Sequence, residues 1–320
     1  MLSFSSTGST MPNPPHIVFA GAATMDMIFS VDALPRGPGK VLPRALVQAA
    51  HGMAASAAVA ATRLGGRASL VTRIGADMMG DHFIAQIAAE GVDCRHVRRF
   101  EGVPTPLSAV IVDDDGERLI LPYYDPNLGS DPAWIPAGLV ADADAVQVDV
   151  RWPEGAVRVL ELARAAGRIA VLDADTGPVE VIEKLAGLAT HAVFSEPAAL
   201  KVSGAADIAA ALPMLAARFS GFVAITGGAA GCFWMENGTT HQAPPPPVRA
   251  VDTLAAGDVF HGAFTLAIAE GRGIPDAIAF ANTAAALKCT HFGGRLGTPS
   301  RAEVEATLSR NPPVVITRPS

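Results

Sequence analysis

Between residues 145 and 226 the chain repeats one unit, a short apolar run followed by a longer stretch with helical spacing. The apolar runs are residues 145–150 (AVQVDV), 169–173 (IAVLD), 192–195 (AVFS) and 222–226 (FVAIT). The stretches between them, 154–166, 179–188 and 208–219, are long enough for helices. Strands that return through a helix lie parallel, and a parallel sheet is covered by helices on both faces. The repetition therefore dictates an α/β architecture. The N-terminal third obeys the same rhythm. A strand at 16–21 ends on Gly21, and a small-residue helix at 52–64 stops at Gly65 and Gly66. A strand at 68–74 and a helix at 80–91, closed by Gly91, follow.

Two patches, about 27–50 and 105–127, stand outside this rhythm. The first is broken by Pro35, Gly37, Pro38 and Gly39. The second holds two β-type runs, 108–112 and 118–123, around Asp113-Asp114-Asp115-Gly116, a hairpin signal. A small sheet over the mouth of the large domain is expected from these patches. The four prolines at 244–247 form a stiff, extended connector.

The 320 residues suit one large domain, spanning 16–320, and half of them are hydrophobic, enough for a sizeable core. Residues 1–15 (MLSFSSTGSTMPNPP) lack the basic and apolar regions of a secretory signal and are expected to form a disordered tail. No run of eighteen apolar residues occurs, so neither a membrane span nor membrane association is expected, and a cytoplasmic location is. Lys and Arg number 24 against 31 Asp and Glu, a formal charge of -7, with no basic stripe, which argues against nucleic acid as a partner. Cys94, Cys232 and Cys289 are odd in number and widely spaced, so free thiols are expected.

The chemistry concentrates in Asp252-Thr253-Leu254-Ala255-Ala256-Gly257-Asp258 and the segment VFHGAFTLAIAEG after it. Small residues at 255–257 let the backbone approach a ligand closely. Val259, Phe260, Ala263, Phe264, Ala267 and Ile268 recur at helical spacing, so a helix starts here. Its free N–H groups and positive dipole end suit a phosphoryl group. A carboxylate in the same turn can take a proton from an attacking hydroxyl. Taken alone, Asp258 is equally well a helix N-terminal acid.

This stretch resembles the DTxGAGD signature of the ribokinase-like (PfkB) carbohydrate kinases, and the likeness covers nearly the whole chain from residue 16. It implies a three-layer α/β/α domain with a mainly parallel central sheet and a small β-sheet lid. It also implies an enzyme that moves the ATP γ-phosphoryl to a sugar hydroxyl, with Mg²⁺ bound alongside ATP. Asp258 would be the catalytic base and the backbone of Ala255, Ala256 and Gly257 the anion hole, with Asp252 and Thr253 supporting phosphate and metal. Ala255 replaces a family glycine; if its φ is positive, alanine costs about 1 kcal/mol.

Further resemblances place the other residues. Gly21 and Asp26 match the first strand and a carboxylate that grips sugar hydroxyls. His51-Gly52-Met53-Ala54-Ala55-Ser56 aligns with the GGxxxN sugar-binding turn, with His51 for glycine and Ser56 for asparagine. Gly75-Ala76-Asp77-Met78-Met79-Gly80 matches the GxDxxG turn, a tight βα connection. The run 226–231 resembles the TxGxxG nucleotide loop, through Thr226, Gly228 and Gly231, and Asn282 matches a position near adenine. A dinucleotide GxGxxG does not fit, because Thr226 occupies the first glycine position and strand-like residues follow. Ser195-Glu196-Pro197-Ala198 falls on the NxxE metal and phosphate motif, leaving Glu196 to hold the metal through water.

Within the family, VDVRW at 148–152, FSEP at 194–197, ALKCT at 286–290 with GGR at 293–295, and Asp258-Val259-Phe260-His261-Gly262 resemble sulfofructose kinase. That likeness puts Lys40 and Arg151 at an anionic head of the sugar, although an expected asparagine contact aligns with Pro122. The substrate expectation is a ketose or sulfo-sugar such as 6-deoxy-6-sulfofructose, phosphorylated on a primary hydroxyl. The alternatives are fructose, ketodeoxygluconate or a nucleoside, or a catalytically silent sugar- or nucleotide-sensing protein. Exposed edges of the small sheet can pair two subunits.

Overall fold

The computed structural model describes residues 13–319, so most of the expected tail lies outside the described residues. The strands are β1 (His16–Gly21), β2 (Thr24–Ser30), β3 (Ala45–His51), β4 (Arg67–Gly75), β5 (Asp93–Phe100), β6 (Leu107–Val112), β7 (Arg118–Tyr123), β8 (Ala145–Asp149), β9 (Ile169–Ala174), β10 (His191–Ser195), β11 (Phe222–Thr226), β12 (Cys232–Glu236), β13 (Thr239–Ala243) and β14 (Ile316–Pro319). The helices are α1 (Met53–Arg63), α2 (Met78–Ala89), α3 (Ala137–Ala141), α4 (Pro153–Ala165), α5 (Val179–Ala186), α6 (Glu196–Ser203), α7 (Ile208–Arg218), α8 (Ala256–Ala269), α9 (Ile274–Lys288) and α10 (Arg301–Arg310).

Ten strands form one sheet in the order β14-β13-β12-β11-β10-β9-β8-β1-β4-β5. Every pair from β5 to β11 is parallel, and β12, β13 and β14 add on antiparallel. The apolar runs become these central strands because both their faces are covered: β8 is buried at every residue. One core layer joins α1, α8 and α9 to the sheet; the other joins α4 to α7 to its opposite face. The alanine-rich stretch of α1 packs against α8, where small side chains let the backbones come close.

The expected elements form, and their ends differ by a residue or two, as helix ends commonly do. Four elements carry weak sequence signals. The edge strand β5 (DCRHVRRF) reads as polar because four of its residues are basic, a composition that protects a sheet edge. Three helices, α3, α6 and α10, are short. A capping box at Ser300 and Glu303 starts α10.

The two irregular patches form a separate four-stranded sheet in the order β3-β2-β6-β7. Within it β2 pairs antiparallel with β3 and parallel with β6, and β6 pairs antiparallel with β7. Its own core is Ile28, Val110 and Val112, completed by Leu254 from the loop that precedes α8. Among the described residues, no single helix is long and apolar enough to cross a membrane.

Candidate active site

In parallel α/β sheets, ligands bind beyond the carboxyl ends of the strands. Gly21, Asp149, Asp173, Ser195 and Thr226 all lie at or next to those ends here. The small sheet springs from the same side, since β2 begins three residues after β1 ends and β3 leads into α1.

Ala255 caps α8 with φ 63, ψ 10, a left-handed conformation that costs a non-glycine residue about 1–2 kcal/mol. The strain sits where the chain must turn sharply into the helix, as strained backbone often does at functional sites. Ala256 N–H bonds to the Thr253 carbonyl at 3.2 Å. The N–H groups of Gly257 and Asp258 follow in the first helical turn, where helical partners are lacking. Asp258 is the third residue of α8, beside those donors. Burial, and then the nearby Asp173 carboxylate, push its pKa up to about 8, while His261 pulls it down.

The two preceding residues hold the turn. Asp252 is fully buried; it accepts from Leu254 N (2.8 Å), Gly293 N (2.9 Å) and Gly294 N (2.8 Å), and lies 3.4 Å from Lys288 Nζ. Its oxygens are thus taken up by the protein. Lys288 also donates to the Asp252 carbonyl (2.6 Å). Thr253 Oγ1 donates to the Gly116 carbonyl (3.1 Å) and accepts from Arg118 Nη1 (2.5 Å), so the β6–β7 turn of the small sheet docks on the motif.

A second group of residues faces this turn from β2, β3 and α1. Asp26 is buried, with Oδ1 accepting from Thr24 Oγ1 (2.7 Å). Burial raises its pKa to about 6 against the hydrogen bonds from Thr24 and Ser108. His51 Nδ1 lies 3.6 Å from Asp26 Oδ2, and His51 Nε2 accepts from Arg295 N at 3.2 Å. Burial, with Arg295 and Lys288, lowers the His51 pKa to about 3, so the ring is neutral. Gly52 starts α1 with φ 102, and a side chain there would meet the Ala22 carbonyl at 2.4 Å; only glycine fits. Ser56 is buried with no partner for its hydroxyl among the described residues. Lys40 is exposed, in the loop between β2 and β3.

Sequence reasoning missed two members. Asp149, buried at the end of β8, accepts from Ala22 N (2.8 Å), Ala54 N (3.1 Å) and Arg151 N (2.8 Å), tying β1, α1 and the 150s together. A lone Asp closing an apolar run is its only sequence signal. Tyr124 is 37% exposed, and its hydroxyl lies within the field of Asp149, Arg151, Asp26 and Asp258; desolvation raises its pKa. Arg151 itself donates to the Thr176 carbonyl (2.9 Å) and pairs with Asp175 at 3.3 Å.

Two predicted pieces lie apart from this centre. In the loop after β11, Gly227 N bonds back to the Gly231 carbonyl (2.8 Å), and Gly228 and Gly231 both take positive φ. Thr226 Oγ1 bonds to the Phe194 carbonyl (3.3 Å). Asn282 on α9 is buried and donates to the Ala243 carbonyl (2.7 Å). Glu196 opens α6 next to Ser195, whose hydroxyl donates to Asp175 at 2.9 Å. Among the described residues no cluster of three or more His, Cys, Asp or Glu is arranged as a metal centre.

Comparison with known proteins gives the family. The model of the pfkB family carbohydrate kinases matches residues 14–301. Ribokinase of Bacillus subtilis is 30% identical over 298 residues, covering 92% of this chain and 99% of the relative. Fructokinase of Klebsiella pneumoniae is 28% identical over 303 residues, covering 87% and 96%. A crystal structure of a candidate ribokinase from Agrobacterium tumefaciens superposes with a TM-score of 0.90 at 47% identity, covering 93% and 98%. The chain thus belongs to the pfkB family of carbohydrate kinases.

Proposed function

We propose that the protein transfers the γ-phosphoryl of ATP to a primary hydroxyl of a ketose or of a sugar with an anionic head, such as 6-deoxy-6-sulfofructose. The observation that carries this reading is the left-handed Ala255 turn. It sets the first N–H groups of α8 beside the Asp258 carboxylate. Asp258 takes the hydroxyl proton as the sugar oxygen bonds to phosphorus and the bond to ADP breaks. The N–H groups of the 255–258 turn and the helix dipole oppose the charge that develops on the transferring group.

Asp26, Gly52 and the His51–Ser56 turn form the sugar end, and the unpartnered Ser56 hydroxyl is a ready donor there. Thr226, Gly228, Gly231 and Asn282 line the nucleotide end. Mg²⁺, when bound with ATP, neutralises its β- and γ-phosphates. The hard carboxylate oxygens of Asp175 and Glu196 suit a hydrated magnesium ion, with Glu196 the residue to hold it through water. The small sheet acts as a lid that excludes water when both substrates are present. Its open edge supports pairing with a second copy.

A neutral sugar is the second reading. It is favoured by the Arg151–Asp175 pair, which already engages the guanidinium, and by relatives named ribokinase and fructokinase. The deciding experiment is an ATP-coupled assay over ribose, fructose, sulfofructose, fructose phosphates, ketodeoxygluconate and nucleosides. The turnover found should fall ~10²–10⁴-fold in Asp258→Asn with ATP affinity retained. It should also rise with pH toward about 8, because the raised pKa leaves less of the basic carboxylate below it. Turnover of no acceptor, or near-normal turnover by Asp258→Asn, would remove this reading.

A further inference from the structure

His261 lies one helical turn beyond Gly257 on α8 and is 3% exposed. Its Nδ1 is 2.8 Å from the Gly257 carbonyl oxygen and 3.4 Å from Asp173 Oδ2. Its Nε2 is 3.3 Å from the Val193 carbonyl oxygen of β10. The Gly257 and Val193 carbonyls are both acceptors, one at each ring nitrogen, whereas a neutral imidazole carries one N–H and one lone pair. The 2.8 Å contact assigns a proton to Nδ1. A lone pair on Nε2 would then face the Val193 oxygen, and a second proton turns that repulsion into a hydrogen bond.

Burial holds the His261 pKa below the ordinary imidazole value, against the two carbonyl contacts and the nearby carboxylates, so it is the hydrogen-bond geometry that favours a charged ring. The carboxylates that act against burial are Asp258 on α8 and Asp175 just beyond β9; Asp173 on β9 lies 3.4 Å away, its own pKa raised well above the ordinary carboxylate range by burial. Arg151 pulls the Asp173 pKa down.

We propose that His261 is a positioning residue held as an imidazolium, donating from Nδ1 to the Gly257 carbonyl and Asp173 and from Nε2 to the Val193 carbonyl. Its charge pulls the raised Asp258 pKa back down, and its hydrogen bond anchors the turn that holds the phosphoryl group. The inference rests on Asp258 being the base, and the test separates the two.

In long-range ¹H–¹⁵N spectra of the wild-type protein, with His261→Asn used to assign the signal, both ring nitrogens of His261 should be protonated at pH 7. A neutral ring there overturns the proposal, whatever the activity. In kinetics, removal of the charge should move the acid limb of the kcat/KM profile of His261→Asn alkaline by about one pH unit. That is a roughly 10-fold loss at pH 7, shrinking to about 2-fold near pH 9. The same loss at every pH would make His261 merely structural and overturn the proposal. A wild-type protein that phosphorylates nothing would defeat the functional reading instead, and the spectra would still decide the charge of His261.

Discussion

The two sheets of this protein obey different physics. In the ten-stranded sheet β8 is buried at all five residues; in the four-stranded sheet β7 is exposed at all six. The large sheet is covered on both faces by extensive apolar layers. The small one rests on Ile28, Val110 and Val112, and it takes its fourth core residue, Leu254, from the loop before α8. A sheet with so small a core has little local stability, which suits the lid role proposed for it. Because Leu254 and Thr253 both belong to the loop before α8, the position of the small sheet is tied to the shape of the turn at Ala255.

The contrast can be broken most directly by removing side chains. Phe19, fully buried on β1, should cost about 3–5 kcal/mol when changed to alanine, and exposed Leu121 on β7 within about 0.5 kcal/mol, both read by denaturant unfolding. A Leu121→Ala loss close to that of Phe19→Ala would mean that the outer face of the small sheet is covered in solution. Arg151, anchored at the end of the large sheet by Asp175, probes how the two sheets share the sugar. Losing a charged partner costs about 1.5–3 kcal/mol. Arg151→Met should therefore raise KM about 10-fold or more for an anionic sugar and barely change it for a neutral one. An equal rise on both would assign Arg151 to the Asp175 ion pair alone. A modest gain is expected at the junction between the sheets. Ala255→Gly relieves about 1–2 kcal/mol of left-handed strain but adds about 0.4–1 kcal/mol of unfolded-chain entropy. A net gain of about 0.5–1 kcal/mol in urea unfolding should follow, and a net loss would show that the strain lies elsewhere.

Periodicity reveals an element when its neighbours cover it evenly. The runs at 145–150 and 222–226 read as strands because burial on both faces demands apolar residues throughout. β5 escapes the same reading because an edge strand carries charges on purpose. The motif at 252–258 stands out because a tight turn into a helix demands small residues, and the family likeness assigned the chain its class of reaction. The roles within the motif are a different matter. Asp252 appears in the sequence beside Asp258 as a second carboxylate for the ligand, yet its oxygens are filled by Gly293, Gly294 and Lys288, about forty residues away.

Asp149 and Tyr124 join the site only through folding, which brings the end of β8 under β1 and α1 and the chain after β7 over both. Local sequence sets hydrophobic pattern, turn chemistry and the start of a helix, since these depend on neighbours a few residues apart. Which carboxylate is satisfied and which is left for a substrate depends on donors that arrive from distant strands. The same holds for the pKa of Asp258, which rises through burial and through Asp173, residues apart in the chain and adjacent only once the parallel sheet is assembled.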